Sequence, residues 1–236
     1  MLRKVTGSLL VLVFLFLLYW RPFVWLVHSW LSSPYYGHGF LVPLVAGYIA
    51  WTKRGELQRT APSWAGVVLL GLGLLLYLLG FIRAMIFLSA ISLLPVLAGL
   101  VLYFYGSHGV RVMIFPLCFL FFMIPPPFIS EVGYWLQYLS AHGSAWLVQV
   151  FGLPTTLTGA EIQLGDSTFV VGLPCSGMNT LIALLALAAI FIYLLRGSFY
   201  KKVVLFILAF PLAILANVLR ISSLLLVANH FGAEAA

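Results

Sequence analysis

The chain has 236 residues, of which 64% are hydrophobic and only 7% are charged, and its mean hydropathy is +1.15. A soluble domain cannot bury that much apolar surface, and charge this sparse excludes disorder, so the composition indicates an integral membrane protein with several spans. The net charge of +7 does not indicate nucleic-acid binding, because the sequence has no basic patch with interleaved aromatic residues.

Apolar runs, taken in chain order, predict an all-α polytopic membrane protein with about seven spans of roughly 20 residues. The first span is interpreted as uncleaved, because Tyr-Trp-Arg-Pro follows it at 19–22 where a signal peptide would have small residues. Residues 1–236 are predicted to form a single membrane domain. The predicted spans cover about 5–21, 39–52, 63–82, 85–105, 110–127, 175–195 and 203–229.

The basic residues give these spans an orientation. With the N-terminus in the cytoplasm, nine of the twelve Lys and Arg residues fall on the cytoplasmic side, as the positive-inside rule expects. The nine are Arg3, Lys4, Lys53, Arg54, Arg59, Arg111, Arg196, Lys201 and Lys202.

In this orientation one substantial segment, about 128–174, lies outside the membrane. Its first half, Phe128 to Phe151, has aromatic and aliphatic residues at helical spacing and predicts an interfacial helix at the outer surface. Its second half, Thr156 to Val171, alternates apolar and polar residues around glycines and predicts a short β-hairpin or a pair of extended segments. This segment directly precedes the stretch that contains Cys175.

Cys175 stands in Leu-Pro-Cys-Ser-Gly, where the outer segment passes into the sixth predicted span. Pro174 fits a helix start, and the free N–H groups and dipole of a helix N-terminus favour a thiolate. The backbone amides near Gly177 and Met178 are candidate donors to an oxyanion. The alternative is a small buried cysteine that packs between helices. Cys118 lies in a different apolar run, so two free thiols are expected and not a disulfide.

Arg220 lies within the last predicted span, where an ionisable side chain is costly and usually marks a function or a buried pair. The cytoplasmic turn at 196–202 lies 21 residues after Cys175 and 18 residues before Arg220. At 1.5 Å per residue, both residues are therefore expected at similar depth near the outer face. The alternative is an arginine that extends to the outer headgroups.

Two asparagines are close to these residues in sequence. Asn217 is one helical turn before Arg220 on the same face, and Asn179 is four residues after Cys175. Each is either part of a site or a hydrogen bond between packed helices.

Two histidines, His38 and His230, are predicted on the same outer side as the thiol. Either is a candidate base for the thiol, and the alternative for each is a solvated or hydrogen-bonded surface histidine. No spacing of His, Cys, Asp or Glu is typical of a metal site, so neither a metal nor another cofactor is predicted.

A resemblance to a known family rests on two motifs in adjacent spans. Pro-Cys-Ser-Gly at 174–177, with Leu-Ala-Asn-Val-Leu-Arg-Ile at 215–221, resembles the exosortase/archaeosortase family. Tyr-Gly-His-Gly-Phe at 36–40 and Trp-Thr-Lys-Arg at 51–54 extend this resemblance over nearly the whole chain.

The resemblance implies a multi-pass cysteine protease/transpeptidase of the cytoplasmic (inner) membrane. Its expected partners are exported proteins with a C-terminal sorting signal of the Pro-Glu-Pro type, the lipid bilayer, and a lipid- or polysaccharide-linked acceptor. Cys175 would form the acyl-enzyme, and Arg220 would stabilise the thiolate or the oxyanion. The supporting positions are Ser176, Gly177, Asn179, Asn217 and His38.

One departure from the family concerns its third catalytic residue, a His in exosortases and an Arg in archaeosortases, which lies in a later segment. Asn-His-Phe-Gly at 229–232 resembles the loop before that residue, so an eighth span is expected to be missing and His230 is the remaining candidate. Two other hypotheses stay open. One is a transporter or scaffold in which Arg220 binds an anion or lipid, and the other is a catalytically incomplete member that binds sorting signals.

Overall fold

Helices make up most of the protein in the computed structural model, which describes residues 10–232 apart from 12, 59, 166 and 196. The chain divides into two compact units, Met1–Pro126 and Pro127–Ala236. The predicted start of the first span, from 5 to 9, lies outside the described residues.

The described part of the first unit contains helices and turns but no strand. Residues 10–18 are helical where they are described, and 3₁₀ turns occupy Gly37–Phe40, Arg54–Glu56 and Leu120–Met123. The helices are α1 (Trp20–Ser32), α2 (Leu41–Lys53), α3 (Trp64–Ile82), α4 (Ile86–Ile91) and α5 (Leu93–Phe119).

Helix α1 corrects a sequence prediction, because the segment after the first span was expected to be an outer loop. The first span was predicted to end at about 21, but Pro22 lies in the first turn of α1, where a missing N–H costs nothing. Pro22, Leu26 and Trp30 are buried at a spacing of four residues, so this helix has one packed face. The Trp30 indole N–H donates to the Met123 carbonyl at 2.8 Å.

Helices α3 and α5 pack closely because glycines stand at their contact. A Cβ at Gly66 would lie 2.5 Å from the Tyr103 main-chain nitrogen, and one at Gly99 would lie 2.6 Å from that of Leu70. Side chains cannot occupy such a contact, so this pair of helices uses the small-residue packing that is common between membrane helices.

Helix α5 is broken at Gly106, where the predicted spans 85–105 and 110–127 meet. Gly106 has a non-helical backbone (φ 66°, ψ −167°), which an L-residue rarely adopts. The apolar run Ile86–Met123 has 38 residues. At 1.5 Å per residue it would measure about 57 Å, so its length fits two crossings of a hydrocarbon core of about 30 Å.

The second unit combines three helices with a small antiparallel sheet. The segment predicted as a β-hairpin or a pair of extended segments is a three-stranded antiparallel sheet, with Gly159 (φ +65°) and Gly165 (φ +58°) between its strands. The elements are α6 (Ile129–Val150), β1 (Thr155–Thr158), β2 (Glu161–Leu164), β3 (Ser167–Val170), α7 (Met178–Leu194) and α8 (Phe199–Phe231).

Helix α6 presents small residues to α8. Ser144 Oγ donates to the Val218 carbonyl at 3.2 Å, and a Cβ at Gly143 would lie 2.8 Å from Val218 Cγ2. Ser222 Oγ in turn donates to the Ser144 carbonyl at 3.5 Å. The predicted helix at 128–151 is therefore present and packs along the last helix, while its position at the membrane surface stays a prediction.

Three segments in the described part of the chain are long and apolar enough to cross a membrane: Trp64–Ile82, Ile86–Met123 and Phe199–Phe231. Met178–Leu194 is apolar but shorter. These segments confirm an all-α membrane protein. The total of about seven spans and the orientation stay predictions.

Candidate active site around Cys175

Cys175 lies in a turn that precedes a helix, not in the helix itself. Leu173–Cys175 form one turn of 3₁₀ helix, and α7 begins three residues later, at Met178. The sequence placed the helix start at Cys175 because Pro174 suits a first helical turn. The helix starts later because Gly177 has a left-handed backbone (φ +86°), which interrupts helical geometry between the thiol and α7.

The side chain of Asn217 fixes this turn from the neighbouring helix. Its Nδ2 donates to the Cys175 carbonyl at 2.9 Å and to Ser140 Oγ at 2.9 Å. These two bonds use both N–H groups of the Asn217 amide. Because the Cys175 carbonyl can only accept a hydrogen bond, Nδ2 and not Oδ1 of Asn217 has to face it. The Asn217 side chain is buried, and its Oδ1 has no hydrogen-bond partner among the described residues.

Gly177 is necessary for this contact. A Cβ at Gly177 would lie 2.9 Å from both Cβ and Cγ of Asn217, which is closer than packed carbon atoms approach. The residue after Ser176 therefore has to be a glycine for two reasons, its backbone conformation and the proximity of the amide.

Ser140 and Ser176 complete the hydrogen bonds around the turn. Ser140 Oγ, which accepts from Asn217, donates to the Ser176 carbonyl at 3.3 Å. Ser176 Oγ accepts from the Met178 N–H at 3.3 Å. Both serines are fully buried. Three elements, α6, the Cys175 turn and α8, are thus joined by one buried polar cluster.

Sequence reasoning missed Ser140. The available signal was a group of small residues, which is typical of close helix contact. They are Ser140, Ala141, Gly143, Ser144 and Ala145, interrupted only by His142. The pairing of Ser140 with Asn217, 77 residues away, depends on tertiary structure and leaves no local pattern.

The surroundings of the thiol are apolar on one side. Cys175 is half-buried and free, and Cys118 is exposed and free, which confirms the prediction of two free thiols. Cys175 packs against a cluster of buried residues contributed by α6, the sheet and α8. The cluster contains Ala141, Ala145, Val148, Ile162, Val171, Ile221 and Leu225.

The first turn of α7 supplies main-chain donors near the thiol. The Met178 amide, which was predicted as an oxyanion donor, is instead bonded to Ser176 Oγ. The Leu181 N–H closes the first turn on the Gly177 carbonyl at 2.9 Å. The amides of Asn179 and Thr180 have no acceptor within the helix, since the first helical N–H groups never do.

Arg220 lies on α8 three residues beyond Asn217, which corresponds to about 4.5 Å along the helix axis. Its side chain is exposed, and it forms no ion pair with any described residue. The carboxylates in the described part of the chain are Glu56, Glu131 and Glu161. The guanidinium is therefore free to meet an external anion.

The other predicted residues have different surroundings. Asn179 and His230 are exposed, and His230 belongs to the last turn of α8, ten residues after Arg220. His38 lies in the first unit, where its ring stacks on Tyr36 with centroids 5.6 Å apart. Burial lowers the pKa of His38 below 6.5, an effect opposed by a hydrogen bond to the Phe122 backbone. Its Nε2 has no described partner.

Metal ligands do not gather in the described residues: no group of three or more His, Cys, Asp or Glu lies close enough to hold an ion. The contacts in this region thus join the turn that bears the Cys175 thiol to the buried Asn217 amide, and Arg220 lies three residues further along the same helix.

The helices and this site define an all-α membrane protein in which a free thiol is held at the entrance of an apolar helix. The chain belongs to the transmembrane exosortase family, whose sequence profile matches residues 30–236. This match confirms the resemblance and supports a sorting-related transpeptidase at the level of the family. Comparison with curated proteins and with solved structures gave no match.

Proposed function

We propose that this protein is a membrane cysteine transpeptidase that cleaves the C-terminal sorting signals of exported proteins through an acyl-enzyme on Cys175. The observation that carries the proposal is the hydrogen bond from the Asn217 side chain to the Cys175 carbonyl. Through this bond, a buried side-chain amide fixes the backbone that bears the thiol. A nucleophile has to be held in its productive geometry by surrounding residues, and this bond holds the turn that bears the thiol.

The proposed reaction begins with attack of the Cys175 thiolate on the carbonyl carbon of the scissile peptide bond. The carbon–sulfur bond forms, and the carbonyl electron pair moves to oxygen to give a tetrahedral oxyanion. When the oxyanion collapses, the C–N bond breaks and the departing nitrogen takes a proton, which leaves a thioester. A nucleophile of the acceptor then attacks the thioester and restores the thiol.

Two features of the site suit the charge that develops in this reaction. The main-chain amides of Asn179 and Thr180 lie in the first turn of α7, at the positive end of the helix dipole. Arg220 adds a full positive charge with no described carboxylate to neutralise it. Donors that are fixed before the reaction stabilise an oxyanion by several kcal/mol, about 10²–10³ in rate for each donor.

Asn217 and Ser140 are positioning residues in this proposal. They bond to the two main-chain carbonyls that directly follow the Cys175 side chain, those of Cys175 and Ser176. His230 is the proposed base. It lies ten residues after Arg220 on the same helix, which supports a position for both at the same end of that helix.

The test uses whole cells that co-express an exported protein with a C-terminal Pro-Glu-Pro-type motif, a hydrophobic helix and a basic tail. Cys175→Ala should abolish the cleaved form while the enzyme remains in the membrane, and Cys118→Ala, which removes the other free thiol, should process normally. Hydroxylamine should release a covalent adduct from the native protein. Normal processing by Cys175→Ala would overturn the proposal.

A second candidate function is anion or lipid binding by a transporter or scaffold, which the exposed and unpaired Arg220 favours. In that case Arg220→Ala would lose function and Cys175→Ser would retain it. Loss of processing in both variants supports the transpeptidase.

A further inference from the structure

The main-chain groups of the sheet alternate in direction, and the register shows which of them face outward. The Val171 N–H donates to the carbonyl of Ala160, the residue directly opposite, at 3.0 Å. Hydrogen-bonded pairs recur every two residues in an antiparallel ladder, so Ile162–Phe169 and Leu164–Ser167 are also hydrogen-bonded pairs. Ser167 and Phe169 therefore turn their N–H and C=O groups toward β2. Thr168 and Val170 turn theirs away, to the outer edge of β3.

The two edges of the sheet differ in what covers them. On β1, the Thr155 carbonyl accepts from Gln149 Nε2 at 2.9 Å, and Thr155 is buried against α6. On β3, the N–H groups of Thr168 and Val170 have no partner among the described residues, and Val170 is 65% exposed. An uncovered edge of this kind is a template for pairing with another strand.

The open edge lies immediately before the thiol in the chain. Val170 precedes Cys175 by five residues, which span at most about 18 Å even when fully extended. The link between them is held in place, because Gln137 Nε2 donates to the Val171 carbonyl and Asn217 Nδ2 donates to that of Cys175. A peptide paired with β3 would thus be within a few residues' length of the nucleophile.

We propose that the outer edge of β3 binds the extended segment of the sorting signal beside the scissile bond, as a fourth strand of the sheet. The inference rests on the proposed transpeptidase function and assigns its substrate-binding mode. The occupant is an extended polypeptide because it alone offers N–H and C=O groups at the two-residue spacing of Thr168 and Val170. Main-chain pairing also accepts different side chains, which suits an enzyme with several exported substrates.

The first test removes the outward donors without disturbing the bonds to β2. Thr168→Pro and Val170→Pro each delete one outward N–H, and the proline ring also obstructs a strand at that edge. Processing should fall about tenfold or more in each. Thr168→Ala and Val170→Ala keep the N–H, so each should process at least about fivefold faster than the proline variant at the same position.

Folding of the proline variants is measured separately, as the membrane level and the rate at which an alkylating reagent labels Cys175. Variants that keep both and lose processing support strand addition. Proline variants that process normally, in cells where Cys175→Ala does not, overturn strand addition and leave the transpeptidase proposal standing.

A second measurement uses the native protein and does not depend on the variants. Synthetic peptides that span the Pro-Glu-Pro-type segment, each N-methylated at one position, compete with the full substrate. Strand addition predicts that inhibition weakens at every second position, because only alternate N–H groups face β3. Equal inhibition by all the peptides would overturn the proposal.

Discussion

Asn217 and Cys175 are 42 residues apart in sequence, yet the Asn217 side chain donates to the Cys175 main-chain carbonyl at 2.9 Å. The same amide nitrogen donates to Ser140, so one buried side chain connects helix α8 with both α6 and the turn that bears the thiol. A change at Asn217 should therefore act on the position of the thiol and on the stability of the second unit together.

Asn217→Ala should lower the free energy of unfolding by about 1–3 kcal/mol and reduce processing, because the Cys175 carbonyl and the buried Ser140 hydroxyl both lose their donor. Asn217→Asp should be worse, since a carboxylate places an acceptor against that carbonyl and buries a charge. Thermal unfolding in detergent and the cleaved fraction of a co-expressed substrate measure both effects. Asn179→Ala is the control, because Asn179 is exposed; an equal effect of the two substitutions would contradict the role of Asn217.

Arg220→Ala should reduce the rate of acyl-enzyme formation about 10²–10³-fold with little change in stability, because Arg220 is exposed and forms no ion pair with described residues. Arg220→Lys should recover part of the rate, since it restores the charge without the planar fork of donors. The measurement is the initial rate of hydroxylamine-sensitive adduct. Arg83→Ala, which removes another exposed arginine, is the control. A full rate in Arg220→Ala would remove Arg220 from the proposed chemistry.

Local patterns were sufficient to predict the class of protein, the division between the spans at 85–105 and 110–127, and the extended segment before Cys175. Each is encoded by neighbouring residues: apolar runs, a glycine between two runs, and alternation around turn glycines. The number of strands was wrong because Gly159 and Gly165 each form a turn, which gives two hairpins where one was expected.

The details of the site were less predictable, because distant contacts decide them. The helix start was placed at Cys175, but the left-handed Gly177 lies against Asn217, and that contact has no signature near Pro174. Helix α1 was also missed. A proline such as Pro22 ends many helices, but here it occupies a first turn. A sequence can show that Cys175 and Asn217 are unusual residues without showing that they are bonded.

The burial of His38 predicts a pH dependence of stability. Its pKa is lowered in the folded protein, so the unfolded chain binds a proton more readily than the folded one as the pH falls through 6.5. The free energy of unfolding is therefore expected to be highest above pH 6.5. It should decrease as the pH falls from 6.5 to the lowered pKa of His38 in the folded protein. His38→Asn, which cannot take up this proton, should unfold with less dependence on pH between 7 and about 5. His28→Asn, at an exposed position, is the matched substitution, and an identical profile for both variants would contradict the effect.

Gly177→Ala separates the two reasons for a glycine beside the thiol. The left-handed backbone should cost an alanine about 1–2 kcal/mol, and the approach to Asn217 adds a collision at 2.9 Å that displaces the amide from the Cys175 carbonyl. Gly152 has almost the same φ (+85°) but open space around its Cβ position, so Gly152→Ala carries the cost of a positive φ without a collision. We expect Gly177→Ala to lose clearly more stability than Gly152→Ala and, unlike it, to lose processing. Equal losses in the two variants would mean that the contact with Asn217 does not position the thiol.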